Sequence, residues 1–188
     1  MRQKDETKAQ HILRATLDEV QVVGLAGLSI EAVARRAGVA TGTIYTYFRN
    51  KDALLDALYL HTKQKFAAFV FSDEGLPLRA AFTQMAKAYV SYMIENKDEM
   101  VFMTQMANSP YVTDETRATV ALGVRPATAL LERGKAEQLL KPLDTAWMLA
   151  FLSGAMGALA PLAAGLPADQ QAEFQDAAAL LCWDALKA

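Results

Sequence analysis

A short stretch near the front of the chain, TGTIYTYFRNK over residues 41–51, concentrates hydroxyl groups beside a lysine. Hydroxyl groups donate and accept hydrogen bonds without carrying charge, and a lysine ammonium binds anions as a point charge. This combination suits contact with a nucleic-acid backbone, and the hydroxyls can also reach base edges. The same residues could equally form a plain solvated surface, and the residue types alone leave both interpretations open.

Residues suited to catalysis or metal binding are sparse. His11 and His61 are the only histidines, and neither has a carboxylate or a cysteine at the spacing of a metal site. The sequence contains no Gly-rich phosphate loop and no nucleophile elbow. The single cysteine, Cys182, lies among apolar residues and can form no internal disulfide, which fits a reducing cytoplasm. We therefore expect a cytoplasmic protein that is no enzyme and needs no cofactor or metal.

Two short helices are predicted around the hydroxyl-rich stretch. Ser29 can cap a helix over residues 30–37, which Gly38 ends. Thr41 can cap the next helix, which runs to about Phe48, and Asn50 can cap the long helix that follows. Two short helices joined by a tight, glycine-containing turn are typical of a helix-turn-helix, whose second helix enters the major groove of DNA.

The second short helix has two different faces at 100° per residue. Ile44 and Phe48 share a face that can pack on the preceding helices. Tyr45 falls on a flank, so its environment is not decided by the helical spacing. The opposite face carries hydroxyl groups, from Thr43, Thr46 and Tyr47.

Three further residues suit contact with a phosphate backbone. Gly42 has no Cβ and lets the start of the helix approach a backbone closely. Thr41 lies where free N–H groups and the helix dipole attract phosphate. Lys51 begins the next helix and offers a positive charge to the same backbone.

The segment LSIEAVARRAGVATGTIYTYFRNKDALL, residues 28–55, resembles the DNA-binding head of the TetR family of bacterial transcriptional regulators. The matching features are Ser29 and the run A-x-x-A-G-V-x-x-G-T-I-Y-x-Y-F-x-N-K-x-x-L. Thr46 departs from the aromatic or histidine often found between the two tyrosines, which bears on base preference. The resemblance implies groove-facing contacts from Gly42 and Thr43, and core positions for Ile44 and Phe48. It implies phosphate contacts from Ser29, Thr41, Tyr45, Tyr47 and Lys51.

The whole chain is predicted to be all-α, because no segment shows the period-two alternation of a strand. We expect a helix-turn-helix head over residues 1–50 and a C-terminal regulatory and dimerisation domain over residues 51–188. Residues 1–65 carry a net charge of +3, which leaves −5 for the rest, so a polyanion would meet the front. After the head, we predict helices over residues 51–69, 78–96, 97–108, 114–138, 144–163 and 168–186. Pro126 would kink or split the fourth of these six helices.

The family resemblance implies a small-molecule cavity in many members but identifies no ligand for this chain. Methionine beside rigid aromatic rings is good lining for an apolar or aromatic effector, although each such residue could equally be solid core. Few charges project into this region, so we expect no strongly charged ligand. The candidate pocket residues are Phe66, Phe82, Met85, Tyr89, Tyr92, Met93, Phe102, Met103, Met106, Trp147 and Phe151.

The last two helices are predicted to form a two-fold dimer interface of four helices. The stretch from Thr145 to Ala168 carries no charge and is long enough to cross a bilayer. Its Ala and Gly content, Pro161 and the lack of flanking cations beyond Lys141 favour burial against a partner subunit over a membrane. The candidate interface residues are Ala150, Gly154, Gly157, Ala158, Phe174, Ala178, Leu181 and Ala185.

These patterns lead to one main hypothesis and one alternative. The main hypothesis is a homodimeric repressor that binds a palindromic DNA operator and is released by a small, mainly apolar effector. The alternative is a TetR-like DNA-binding protein without an inducer, whose C-terminal domain serves only dimerisation or protein interaction. A cavity lined by the methionine and aromatic set would favour the first, and a filled core the second.

Overall fold

The computed structural model describes residues 6–71 and 75–188 of the chain. Within these ranges the chain forms ten helices, and an isolated antiparallel bridge pairs Leu140 with Lys187. The all-α prediction is confirmed. The helices are α1 (Glu6–Gly27), α2 (Ile30–Arg36), α3 (Thr41–Tyr47), α4 (Lys51–Val70), α5 (Leu78–Glu95), α6 (Lys97–Ala107), α7 (Asp114–Gly123), α8 (Arg125–Ala136), α9 (Thr145–Ala163) and α10 (Ala168–Leu186).

The helices group into two compact units. The first unit contains the chain up to Gln64 together with Asp98–Val120, and the second contains Lys65–Lys97 and Ala121–Ala188. Helix α4 begins in the first unit and continues along the sequence into the second. The functional division predicted at residue 50 falls where α4 begins, and it stays a prediction.

Helix α1 supplies the first core of the head. Ile12, Leu17 and Val20 are buried at helical spacing, and α1 packs against α2, which in turn packs against α3. Gly24 does not end the helix, which runs on to Gly27. Gly24 instead adopts φ +71°, a left-handed conformation that glycine tolerates, and produces a kink before a final helical turn.

Helix α2 forms as predicted. The Ser29 hydroxyl oxygen accepts a hydrogen bond from the backbone N–H of Ala32 at 3.2 Å, which satisfies one free donor at the helix start. Ile30 and Val33 are buried on the inner face. Gly38 follows with φ +63°, so the glycine that ends the helix has the conformation expected of it.

The start of α3 differs from the prediction by one residue. Ala40 is the extended residue before the helix, and its carbonyl oxygen accepts the backbone N–H of Thr43 at 2.8 Å. Thr41 is therefore the first helical residue, and the prediction that Thr41 caps the helix is wrong. The cap predicted for α4 is confirmed, because the Asn50 side-chain oxygen accepts the N–H of Ala53 at 2.8 Å.

A carboxylate on α4 fixes the start of α7 within the first unit. Asp56 accepts hydrogen bonds from the Thr113 backbone N–H at 2.9 Å and the Thr113 hydroxyl at 3.2 Å. It also accepts the Thr116 hydroxyl at 2.8 Å. Helix α7 ends at Gly123 and α8 begins at Arg125, so the predicted helix over residues 114–138 is split at Pro126, which lies in the first turn of α8.

Helix α5 is the centre of the second unit, where it packs against α8, α9 and α10. Phe82, Val90 and Tyr92 are completely buried along it. Helix α9 begins at a cap formed by Asp144, whose carboxylate accepts the backbone N–H groups of Ala146 at 2.8 Å and Trp147 at 3.3 Å. The second unit is thus a helical body built around α5.

Helix α9 is long and apolar enough to cross a bilayer, with a mean hydropathy of 1.6, yet only 28% of that apolar window is buried. A single helix of this kind is weak evidence for a membrane span. The outward side of α9 includes Trp147, Phe151 and Leu162, all exposed. The helix therefore presents a large apolar surface that a partner could cover.

Candidate nucleic-acid interface

The structure divides α3 into a buried and an outward face. Ile44 is completely buried and anchors the helix to the head, while Phe48 is half-buried. Thr43 and Tyr47 are half-buried, and the ring of Tyr47 lies 6.3 Å from that of Phe48. Tyr45, which the helical spacing left on a flank, is 51% exposed. Its phenol group therefore belongs to the outward side.

The outer surface at the start of α3 is open. A Cβ placed on Gly42 would meet nothing within 4 Å, so this glycine presents bare backbone to the outside. The Thr46 hydroxyl donates to the Gly42 carbonyl at 3.1 Å and is thereby engaged within the helix. Thr43 and Tyr45 remain the hydroxyl side chains best suited to reach a nucleic acid beside Gly42.

Ser29 and Lys51 both have structural roles in the head. The Ser29 oxygen caps α2, although its hydroxyl proton can still be donated to an outside acceptor. The Lys51 ammonium donates to the Ala26 carbonyl at 2.8 Å and lies 6.0 Å from the centre of the Tyr111 ring. An ammonium has three protons, so contact with a phosphate is compatible with the bond to Ala26.

Two exposed arginines were not among the predicted contacts. Arg35 lies in the last turn of α2, and Arg49 lies between α3 and α4. Arg36, beside Arg35, instead forms an ion pair with Glu19 at 2.6 Å. The basic charge of residues 1–65 was the available signal for these residues, but charge counting does not separate a free arginine from a paired one.

In the second unit, three of the predicted pocket residues form an aromatic cluster. Phe66 makes edge-to-face contacts with Tyr89 and Tyr92, with ring centres 5.2 Å apart in both pairs. The Tyr89 hydroxyl lies 3.5 Å from the Ser153 hydroxyl. Burial raises the pKa of Tyr89, and the Ser153 hydrogen bond partly offsets this. The three side chains therefore pack against one another edge to face and fill the space between them.

Most other members of the predicted pocket set are solid core. Phe82 packs against Trp183 at 5.3 Å between ring centres, and Met93 packs against a core cluster that includes Val90 and Ala160. Methionine and aromatic residues on helices occupy core and cavity walls with the same spacing, so sequence could not separate the two. Three more members of the set, Phe102, Met103 and Met106, are buried in the first unit.

Two predicted pocket residues lie on the surface of the second unit. Trp147 is 72% exposed and Phe151 is 47% exposed, one turn apart on α9. Neither side chain therefore lines an enclosed pocket within this chain. Both belong instead to the outward face of α9, which also carries Ala150, Gly154 and Ala158.

The predicted interface residues fall into two groups. Ala178 is buried against Val90, Ala160 and Ala163, so it belongs to the core of the second unit, and Phe174 packs against the same core. Ala178 was included for its helical spacing, but it faces inward on α10. The outward group consists of Ala150, Gly154, Ala158, Leu181 and Ala185, with Gly157 half-buried.

A cavity of about 180 Å³ lies among α4, α5 and α8 in the second unit. Met85 is the one predicted pocket residue in its wall. Arg133, which sequence reasoning missed, also lines the cavity, and its Nε–H is buried. In sequence this arginine has the spacing of an ordinary surface ion pair with Glu137. The lining residues are Val70, Phe71, Ala81, Met85, Pro126, Ala129, Leu130 and Arg133.

Across residues 6–71 and 75–188, no group of three His, Cys, Asp or Glu side chains is arranged to hold a metal ion. The exposed face of α3 lies in the first unit, and the cavity lies in the second.

Comparison with known proteins covers both parts of the chain. The family described as "Bacterial regulatory proteins, tetR family" matches residues 12–58. The family described as "Tetracyclin repressor-like, C-terminal domain" matches residues 77–187, which is more than half of the chain.

Two curated relatives illustrate the similarity. The chain is 36% identical over 88 residues to the HTH-type transcriptional regulator BetI of Ectopseudomonas mendocina, with 47% of this chain and 43% of that protein aligned. It is 34% identical over 116 residues to an HTH-type transcriptional regulator of Haemophilus influenzae, with 61% of this chain and 62% of that protein aligned. These alignments span less than two thirds of either relative.

Solved structures extend the similarity over the whole chain. A TetR-family regulator from Shewanella sp. PV-4 matches with a TM-score of 0.84 and 28% identity, covering 96% of this chain and 98% of that one. A TetR-family regulator from Haemophilus influenzae matches with a TM-score of 0.82 over both entire chains; at 24% identity it supports the fold alone. The chain belongs to the TetR family of bacterial transcriptional regulators, with a DNA-binding helix-turn-helix ahead of its C-terminal domain.

Proposed function

We propose that this chain is a cytoplasmic repressor that binds a two-fold-symmetric DNA operator as a homodimer and is released by a small effector. The observation that carries the proposal is the outward face of α3. Gly42 presents bare backbone there, Tyr45 is exposed, and buried Ile44 fixes the helix to the head. A rigid helix with this surface suits the major groove, and a two-fold dimer would present two copies to two half-sites.

Dimerisation is supported by the outward face of α9 and α10. Trp147, Phe151, Leu162 and Leu181 are each at least 47% exposed, and small residues lie between those on α9. A surface of large apolar side chains with small residues between them permits close approach of helices from a second copy. Burial of this face against a partner subunit would also account for the charge-free helix without a membrane.

Effector control is supported by the cavity at the end of α4. Val70, the last residue of α4, lines the cavity, and Lys51, the first residue of the same helix, belongs to the first unit. A ligand that shifts α4 would change the spacing of the two heads in a dimer. By linkage, a ligand that favours a spacing mismatched to the half-sites weakens DNA binding.

The alternative without an effector is supported by a different observation. Phe82, Tyr92, Phe102 and Met106 are completely buried, so most of the methionine and aromatic set fills cores. In that case the C-terminal domain would serve dimerisation alone, and occupation of the cavity would leave DNA affinity unchanged.

The deciding experiment is to select DNA fragments with the purified protein and sequence them. A two-fold-symmetric motif is the expected result, and its position upstream of genes would identify candidates for regulation. Recovery of DNA without any enriched motif would overturn the proposal of an operator-binding regulator.

A further inference from the structure

Among the described residues that line the cavity between α4, α5 and α8, one has a charged side chain and the other seven have apolar side chains. Arg133, in the last turn of α8, lines it together with residues such as Phe71, Met85 and Leu130. A guanidinium stays charged at every physiological pH, so the cavity carries a permanent positive charge. A charge at this position favours an anionic ligand group, whereas the sequence led us to expect no strongly charged ligand.

The Nε–H of Arg133 is buried and has no hydrogen-bond acceptor among the described residues. One Nη group of the same guanidinium donates to the Leu76 carbonyl at 3.1 Å, which fixes the plane of the group. Glu137 approaches Nε to 3.8 Å, close enough for an ion pair but too far for a hydrogen bond. A buried donor on a cation is costly to leave unsatisfied, so a ligand that brings an acceptor to Nε would be stabilised there.

The size and lining of the cavity limit which ligands could supply a hydrogen-bond acceptor to the Arg133 Nε–H. A volume of about 180 Å³ is slightly larger than an engineered apolar cavity of about 150 Å³ that binds benzene. Seven of the eight described lining residues have apolar side chains, which favours a ligand with an apolar body. An apolar body about the size of one aromatic ring, with an anionic oxygen at one end, fits both the space and the charge. The Arg133 Nε is buried, but the side chain as a whole is 37% exposed, so a ligand can reach the guanidinium from solvent.

We propose that the cavity binds a small monocarboxylic acid with an apolar body, and that its carboxylate accepts the Nε–H of Arg133. Carboxylates bind arginine through short, charge-assisted hydrogen bonds, and neutral amides lack the charge. One part of this inference rests on the proposed function: the acid would be the effector that releases the protein from DNA. Binding of the acid itself does not depend on that role.

The test compares benzoate with benzamide, its neutral analogue, by titration calorimetry on the unmodified protein. The expected result is tighter binding of benzoate by about 10-fold or more. Equal affinities, or no heat from either compound, would overturn the proposal. Because this comparison needs no substitution, it stands even where a variant fails to fold.

Three variants locate the binding to the guanidinium. Arg133→Gln removes the charge and should abolish the preference for benzoate. Glu137→Gln removes the competing carboxylate and should tighten benzoate binding by a few-fold. Arg125→Gln makes the same change as the first variant at an exposed position on the same helix, outside the cavity lining, and should leave the affinity unchanged. A preference that survives Arg133→Gln would overturn the assignment.

A separate measurement distinguishes this inference from the proposed function. DNA fragments selected by the protein are titrated in the presence and absence of saturating benzoate. Benzoate that binds through Arg133 but leaves DNA affinity unchanged supports the site and overturns its role as the effector site. Release of DNA by benzamide as readily as by benzoate supports an effector and overturns the carboxylate assignment.

Discussion

The ammonium of Lys51 donates a hydrogen bond to the carbonyl oxygen of Ala26 at 2.8 Å. Ala26 lies in the last turn of α1, after the kink at Gly24, and Lys51 is the first residue of α4. Carbonyl groups at a helix C-terminus lack donors within the helix, and a cation there also complements the helix dipole. Lys51 therefore holds two elements of the head together, in addition to the phosphate contact that the family resemblance implies.

Replacing Lys51 with alanine should have two separable effects. Loss of the bond to Ala26 should lower the free energy of unfolding by about 0.5–1 kcal/mol, which thermal unfolding would detect. Loss of a phosphate contact should weaken binding to all DNA sequences and reduce the salt dependence by about one unit. Lys51→Arg should retain most of both, because the charge and donors remain. Weakened binding to a single sequence would contradict the phosphate role.

Replacing Thr43 with alanine should change base preference at one position in each half-site. Thr43 lies on the outward side of α3 beside the bare backbone of Gly42, where a hydroxyl can reach a base edge. Selection and sequencing of DNA with wild type and variant would show the change. Thr119→Ala is the matched control, since Thr119 lies on α7, outside the recognition helix, and its hydroxyl donates to the Glu115 carbonyl. An unchanged motif for Thr43→Ala would remove Thr43 from the groove contacts.

Replacing Tyr45 with phenylalanine should weaken DNA binding by about 3- to 10-fold without changing the motif. The family resemblance implies a phosphate contact from its hydroxyl, and the exposed ring places that hydroxyl outside the core. Phosphate contacts carry no sequence information, so every site should lose affinity alike. Thermal stability should stay unchanged, and a marked loss would show that the hydroxyl supports the head instead.

Replacing Leu181 with glutamate should separate the proposed dimer. Leu181 is 61% exposed on α10, and a partner subunit would bury it. A buried, unpaired carboxylate should raise the dimer dissociation constant roughly 100-fold or more. Leu122→Glu changes another exposed leucine, on α7, and should leave the mass unchanged in sedimentation experiments. A monomeric wild-type protein, or a Leu181→Glu variant that stays dimeric, would contradict the proposed interface.

Local features of the head could be predicted from sequence because each depends on a few neighbouring residues. Ser29 and Asn50 cap the helices that follow them, and Gly38 ends α2 with positive φ. Helical spacing also placed Ile44 inside correctly. The same reasoning failed by one residue at Thr41, because alanine can precede a helix whose first turn needs no side-chain cap.

The cavity could not be predicted from sequence, since its position depends on how distant segments pack. Met85 and Phe82 lie three residues apart on α5, yet one lines a cavity and the other fills the core. Arg133 and Glu137 have the spacing of an ordinary surface pair, yet the Nε–H of Arg133 is buried in the folded chain. A charge inside an apolar site is a tertiary property that helical spacing does not encode.

The thiol of Cys182 gives a pH-dependent prediction. Its side chain is buried, and burial raises the pKa of the thiol above its ordinary value of 9.0 because the thiolate is poorly solvated there. A raised pKa in the folded state means that the stability contribution is complete well below pH 9.0, where the thiol is protonated in both states. It is lost as the pH rises through the folded-state pKa. The stability advantage of wild type over Cys182→Ala in urea unfolding should therefore shrink between pH 8 and 10, roughly as the thiol of the unfolded chain ionises.

Alkylation by iodoacetamide provides an independent measurement of the same thiol. The thiolate is the reactive species, so the folded protein at pH 8 should react far more slowly than the protein unfolded in urea. Comparing both rates in one buffer controls for the reagent. Rapid labelling of the folded protein, together with a stability difference that does not change with pH, would show that Cys182 is reached by solvent and that α10 opens at this position.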